Sequence, residues 1–219
     1  MIIFSSQDPF PLLTLGSYSY KEAQNHSVIA DEWLGFQISA TEENIRRQNK
    51  LPEQQNWEHL SEQAFQTPYI ELRNILELLT LKPGDHIVDL GCAYARMAFL
   101  ILRHFQGVQF TGYELEKERV LEALRVLGPQ SSQDIKILPQ DLSALSFKAP
   151  AADVYFIFDY GTEAAVKKTL EDLKAVASAR SVRVVARGRL SRFLIHRDHP
   201  WLAEVVTPQH FEHFSIYTS

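Results

Sequence analysis

The residues of this sequence that could do chemistry together begin with the run Ile87-Val88-Asp89-Leu90-Gly91-Cys92-Ala93-Tyr94-Ala95-Arg96. An acid ends an apolar stretch, and small residues follow at positions 91, 93 and 95. Glu114 closes the next apolar stretch, Gln140-Asp141-Leu142 follows a third, and Asp159-Tyr160-Gly161 follows a fourth. Small residues let a backbone approach a ligand closely, and Gly91 can take positive φ. A carboxylate is an acceptor only and can receive two O–H donors. A turn of small residues between a strand and a helix, with an acid at the end of the next strand, suits a nucleotide-like ligand.

The elements that must position these residues alternate. Strands are expected at His86–Leu90, Gln109–Tyr113, Ile135–Leu138, Val154–Phe158 and Val182–Ala186, with helices at Arg96–Phe105, Lys117–Leu127 and Ala164–Ala177. The uninterrupted apolar run at 154–158 predicts a strand buried on both faces. Strands alternating with helices mean a mostly parallel sheet covered on both sides. Ala203–Val206 and Phe211–Tyr217 read as two closing strands that form an antiparallel edge. The expected fold is therefore α/β: a Rossmann-like, seven-stranded, mostly parallel sheet with helices on both faces, plus an N-terminal helical and irregular extension. Residues 1–30 read as irregular. Residues 41–50 read as an exposed helix capped by Thr41 and ended near Pro52. A further helix is expected to begin at Pro68 with Thr67 as its N-cap.

The dinucleotide fingerprint needs glycines at the first, third and sixth positions. Here those positions hold Gly91, Ala93 and Arg96, and a large arginine opposes close helix–strand packing of that kind. The spacing Gly91, Ala93, Ala95 instead resembles the acid-x-Gly-x-Gly-x-Gly motif of class I S-adenosylmethionine-dependent methyltransferases, over about residues 65–219. The resemblance implies that Glu114 grips both ribose hydroxyls and that Gln140, Asp141 and Leu142 meet the adenine. It places Asp89 near the amino-acid end of S-adenosylmethionine, with Gly91, Cys92, Ala93 and Ala95 forming the turn beneath it. Alanine stands at 93 and 95 where that family prefers glycine. Each feature alone also has a plain structural reading, with Asp89 as a helix cap, Glu114 as a solvated strand-end acid and Gln140-Asp141 as ordinary loop.

Phe65-Gln66-Thr67-Pro68 ahead of a helix also resembles the small protein-lysine methyltransferases that act on mitochondrial carrier and ATP-synthase subunits. That likeness implies that Phe65 and Thr67 line the cofactor pocket. Phe158 and the residues after it should lie beside the transferred methyl group. There Asp159 can orient or deprotonate a nucleophile and Tyr160 can hydrogen-bond it or wall the pocket, or the segment can simply turn and cap the next helix. The Asp/Asn-Pro-Pro-aromatic motif of some amino-group methyltransferases and the Asn-Asn-Phe element of one histone-lysine family are absent. The expected division is a lid at 1–66 that selects substrate and an S-adenosylmethionine-binding domain at 67–219. The expected activity is methyl transfer to an N or O nucleophile of a protein side chain, lysine among them, or of a small molecule. The alternatives are a protein that binds the same cofactor without catalysis and a nicotinamide-dependent reductase.

Charge bounds the partners. Residues 1–66 hold nine acids and four bases, and the remainder holds eighteen of each, so the net −5 lies in the N-terminal third. Residues 180–197 carry six arginines and no acid. Arg187 and Arg189 read either as a substrate-anion contact or as a solvated basic loop that pairs with the acidic third. Nucleic acid is not the expected partner of so acidic a chain. His196, His199, His210 and His213 fit no metal-site spacing, so no metal is expected. Trp57, Tyr69, Trp201, Phe211 and Phe214 read as core or lid packing. Cys92 has no nearby histidine to activate it and reads as a packed residue. No apolar run is long enough to span a membrane, and a lone cysteine with no basic leader points to the cytoplasm.

Overall fold

The computed structural model describes residues 2–48, 60–128 and 133–219; Lys50, Pro52 and Trp57 lie outside them. The elements are α1 (Tyr20–Leu34), α2 (Ile38–Gln48), α3 (Tyr69–Leu78), β1 (His86–Leu90), α4 (Arg96–His104), β2 (Gln109–Glu114) and α5 (Lys117–Leu127). These are followed by β3 (Ile135–Pro139), β4 (Val154–Phe158), α6 (Glu163–Ala177), β5 (Arg183–Arg187), α7 (Arg189–Asp198), β6 (Gln209–His210) and β7 (Phe214–Thr218).

The seven strands form one sheet in the order β3-β2-β1-β4-β5-β7-β6. The first five in that order run parallel, while β7 pairs antiparallel with both β5 and β6. Alternation along each strand divides the core. Ile87, Phe110, Ile137 and Phe156 pack on one face with α3, α4 and α5. Val88, Leu90, Tyr155, Ile157 and Val184 pack on the other with α6 and α7. Asp89, two residues after Ile87, therefore points to the α3–α4 face. Strand order reverses between β1 and β4, and ligands of such sheets bind at the strands' carboxyl ends there.

The N-terminal segment differs from the sequence expectation. Residues 20–34 are helical rather than irregular. Ser19 and Glu22 form a capping box, in which the Glu22 N–H donates to the Ser19 hydroxyl and the Ser19 N–H to the Glu22 carboxylate. α2 starts at Ile38, so Thr41 is not a cap; its hydroxyl donates to the Gln37 carbonyl within the helix. Thr67 does not cap α3 either. Pro68 holds the N-cap position without a side-chain bond, and the Tyr69 N–H donates to Ser27 Oγ of α1 at 3.1 Å. Phe10, Ala30, Phe36 and Ile38 belong to the same buried cluster as the sheet's α3–α4 face.

Two C-terminal expectations also change. Arg189–Asp198 is a helix where a basic loop was expected, and Ala203–Val206 forms turn and bend rather than a strand. The antiparallel strands begin only at Gln209. Among the described residues, no helix is long and apolar enough to cross a membrane.

Candidate cofactor site

The turn after β1 is built on left-handed backbone. Gly91 has φ +90°, Ala93 +48° and Ala95 +53°. Glycine takes this region freely, whereas an alanine there costs about 1–2 kcal/mol. The two alanines thus adopt the conformation that glycine would hold without strain, and hydrogen bonds offset the cost. The Gly91 and Cys92 N–H groups both donate to the Tyr113 carbonyl at 2.9 Å, and the Ala93 N–H donates to Glu114 Oε2 at 2.9 Å. The loop is fastened to the end of β2 through the strand-end carboxylate.

Close packing fixes the loop from both sides. A Cβ on Gly91 would stand 2.3 Å from the Tyr160 Cβ. A Cβ on Gly112 would stand 2.7 Å from Cys92 Sγ, so β2 carries glycine where the Cys92 side chain presses on it. Burial, then Asp89 and Glu114, push the Cys92 thiol well above its ordinary range, consistent with a packed and unreactive sulfur.

These walls enclose a cavity of about 260 Å³ at the carboxyl ends of β1, β2 and β4, open on one side. Phe65, Gly91, Ala93, Glu114, Gln140, Asp141, Leu142, Phe158, Asp159 and Tyr160 all line it. Thr67, Asp89 and Cys92 line a smaller adjoining cavity that shares Phe65, Gly91, Ala93 and Phe158 with the first. Ala95 lines neither, being fully buried as the N-cap of α4. The Asp89 carboxyl is pushed up to about 8, first by burial and then by Glu114.

Glu114 is buried rather than solvated. Besides the Ala93 N–H, it accepts from the Glu116 N–H at 3.0 Å and from Arg119 Nη1 at 3.3 Å, both on Oε1. Arg119, from α5, lines the cavity and is absent from the sequence-derived set. Its signal was a charge within the first helical turn beside the apolar stripe Val120, Ala123 and Leu127. Asp141 Oδ1 accepts from the Ser143 N–H and hydroxyl, and its second oxygen takes neither of these bonds.

Asp159 and Tyr160 follow β4 and line the larger cavity, with their polar atoms already bonded within the protein. Asp159 has φ +30°, and its two oxygens accept the Leu190 and Ser191 N–H groups at 2.9 and 2.8 Å. It caps α7, while Thr162 caps α6. Gly188 is required beside it, because a Cβ there would meet Asp159 Oδ2 at 2.2 Å. The Tyr160 hydroxyl bonds Thr169 Oγ1 and the Ala165 carbonyl, and burial raises the phenol above its ordinary range.

Three buried arginines join the N-terminal segment to this site. Arg96 pairs with Asp31 of α1, donates to Gln63 Oε1 and the Thr67 carbonyl, and lies over the Tyr69 ring. Arg119 takes Glu42 of α2 in a fork at 2.8 and 3.0 Å and faces the Phe65 ring at 4.4 Å. Arg187 is neither solvated nor turned to the cavity. It pairs with Glu71 at 2.8 Å, reaches the Tyr20 hydroxyl, and lies 4.2 Å from the Phe158 ring centre. The acidic N-terminal third is thus matched in part by buried cations of the sheet domain. Of the aromatics expected to pack, Tyr69 and Phe214 are core and Phe211 stacks on Phe214.

No family model matches the sequence, and no curated protein matches it. Among solved structures, TrmN from Thermus thermophilus is 14% identical with a TM-score of 0.53, over 78% of this chain and 54% of that one. The chain therefore spans about half the length of that relative. A Pyrococcus horikoshii protein assigned as an RNA methyltransferase is 17% identical with a TM-score of 0.50, over 82% of this chain and 97% of that one. At such identities the likeness is one of fold, and this chain has the Rossmann-like, seven-stranded fold of class I methyltransferases.

Proposed function

We propose that this protein is an S-adenosylmethionine-dependent methyltransferase acting on an N or O nucleophile of a protein side chain or a small molecule. The observation that carries this reading is the left-handed turn Gly91–Ala95 tied by its Ala93 amide to the Glu114 carboxylate at the sheet's switch point. When bound, S-adenosylmethionine supplies an electrophilic methyl group on a positively charged sulfur. The chain's residues bind and orient. Glu114 accepts ribose hydroxyls, and Leu142 and Phe65 supply apolar walls for the base. Gln140 and Asp141 offer polar atoms at its edge, and Asp89 meets the ammonium of the amino-acid end from the smaller cavity. Leu60, Ala64 and Phe65 bring the N-terminal segment to the cavity, which supports its role as a lid that selects the acceptor.

Asp159 enters this reading as a positioning residue. With both oxygens on α7 amides it holds the wall opposite the turn, and transfer relies on alignment in a water-poor site. The same observation favours a second reading, cofactor binding without catalysis, because each Asp159 oxygen already accepts a backbone amide and the Tyr160 hydroxyl is bonded to Thr169 and Ala165. Titration calorimetry with S-adenosylmethionine and with a nicotinamide dinucleotide tests the cofactor. Turnover on peptide, metabolite and RNA panels then tests catalysis and acceptor. Tighter binding of the nicotinamide ligand would overturn the proposal. Tight S-adenosylmethionine binding without product from any panel would leave the second reading. Product from RNA alone would replace the acceptor class, and RNA is in the panel because the Pyrococcus structure is assigned to that chemistry.

A further inference from the structure

We infer that Glu42, on the N-terminal helix α2, is a positioning residue of the cofactor site that sets the ribose-binding carboxylate through Arg119; the inference rests on the S-adenosylmethionine reading above. Five groups close a ring. The Tyr94 hydroxyl donates to Glu42 Oε1 at 2.7 Å, and Arg119 forks onto both Glu42 oxygens at 2.8 and 3.0 Å. Arg119 Nη1 donates to Glu114 Oε1 at 3.3 Å. Glu114 Oε2 takes the Ala93 N–H, and Ala93 precedes Tyr94 in the chain. Glu42, Tyr94, Arg119 and Glu114 are all buried, and the Phe65 ring covers the guanidinium.

The distances give the ring its direction. Arg119 is held closely by Glu42 and at the outer limit of bonding by Glu114. A carboxylate has about four lone-pair sites, and three donors already reach Glu114. The Arg119 contact is the longest of them and the one whose geometry can yield to a ribose hydroxyl. Glu42 keeps the guanidinium back from Glu114 while leaving a cation near it in a buried site. Without the Glu42 charge the fork that holds the guanidinium back is lost, and Arg119 closes on Glu114 and fills the lone pairs that the ribose needs.

The test compares S-adenosylhomocysteine with its 2′-deoxyribose analogue by calorimetry on the full chain, wild type and Glu42→Gln, with circular dichroism to establish folding. Wild type should prefer the ribose ligand. Glu42→Gln should lose about tenfold or more in affinity for it, the scale of a hydrogen bond to a charged group. The same variant should change by less than about threefold toward the analogue. Arg119→Lys keeps a charge but loses the fork and the ring contact, and should show the same ribose-specific loss; it carries the test if Glu42→Gln does not fold. Equal losses for both ligands would reduce Glu42 to a packing role and overturn the inference, as would unchanged affinity. A wild type that binds S-adenosylhomocysteine without ribose preference would overturn the Glu114 assignment and this inference with it. A wild type that binds neither ligand would overturn the cofactor reading itself.

Discussion

Gly91 and Tyr160, both in the cavity wall, pack so closely that a Cβ at position 91 would stand 2.3 Å from the Tyr160 Cβ, while Gly91 itself holds φ +90°. Two separate constraints meet at one residue, and a second glycine separates them. Gly84 has φ +94° but nothing within 4 Å of its Cβ position. Gly84→Ala should therefore cost only backbone strain, about 1–2 kcal/mol, and leave ligand affinity unchanged. Gly91→Ala should cost that strain plus overpacking, a further ~1–3 kcal/mol, and displace the turn that faces the cofactor. Denaturant midpoints give the stability part, and S-adenosylhomocysteine affinity gives the functional part. Equal behaviour of the two variants would remove the case for Gly91 as a close-approach residue.

Asp89 makes stability depend on pH. Its carboxyl is held up to about 8 in the fold, by burial and by Glu114, against about 3.9 in an unfolded chain. Below about pH 4 both states are protonated and the group contributes nothing. Between about pH 4 and 8 the unfolded state ionises and the folded state does not, so the native state loses stability as pH rises; above about 8 the loss is constant. Asp89→Asn lacks this term. The variant should gain on wild type across pH 4–8, by on the order of a few kcal/mol at the upper end. Urea unfolding at a series of pH values measures the gap, and a gap independent of pH would contradict a neutral Asp89.

Much of the sheet was legible because each strand carries its own apolar signature. His86–Leu90 and Val154–Phe158 fall where the pattern put them, and Asp89 within the first and Asp159 after the second line two adjoining cavities. The first helix was missed for a local reason. Its face is weakly apolar, and its start is announced only by the Ser19–Glu22 box amid Pro, Gly and Gln. α7 was missed because its first turn is rich in arginine, which opposes the helix dipole; Asp159, thirty residues earlier in sequence, compensates by accepting its amides. Arg119 and Glu42 could not be paired from sequence, since seventy-seven residues separate them. Partners of that kind follow from packing rather than from any local period.

The Asp31–Arg96 pair should be among the costliest contacts to break. Both side chains are buried, and Arg96 spreads its remaining donors over Gln63 and the Thr67 carbonyl. Removing one partner leaves an uncompensated charge, so Asp31→Ala should lose about 3–5 kcal/mol. Arg96→Met with Asp31→Leu removes both charges and should recover much of that loss. A double-mutant cycle by chemical denaturation reads the coupling. A loss from Asp31→Ala below about 1 kcal/mol, the range of exposed pairs, would mean that water reaches this pair in solution.

Asp159 separates positioning from proton transfer. Its carboxylate caps α7 with two backbone amides, and a cap of this kind is worth about 0.5–2 kcal/mol. Asp159→Asn keeps one side-chain oxygen for one of those amides and removes the charge. If alignment is its role, the variant should lose about 1 kcal/mol of stability, keep turnover within about tenfold, and keep the wild-type pH profile, because no step then passes a proton through residue 159. General-base loss would instead cost about 10²–10⁴-fold in turnover and remove the acidic limb of the profile. Rates across pH for both proteins, measured on whichever acceptor the panels identify, decide between them. A loss of that size without a matching fall in stability would return Asp159 to the role of base, acting through a lone pair that the Leu190 and Ser191 amides do not take.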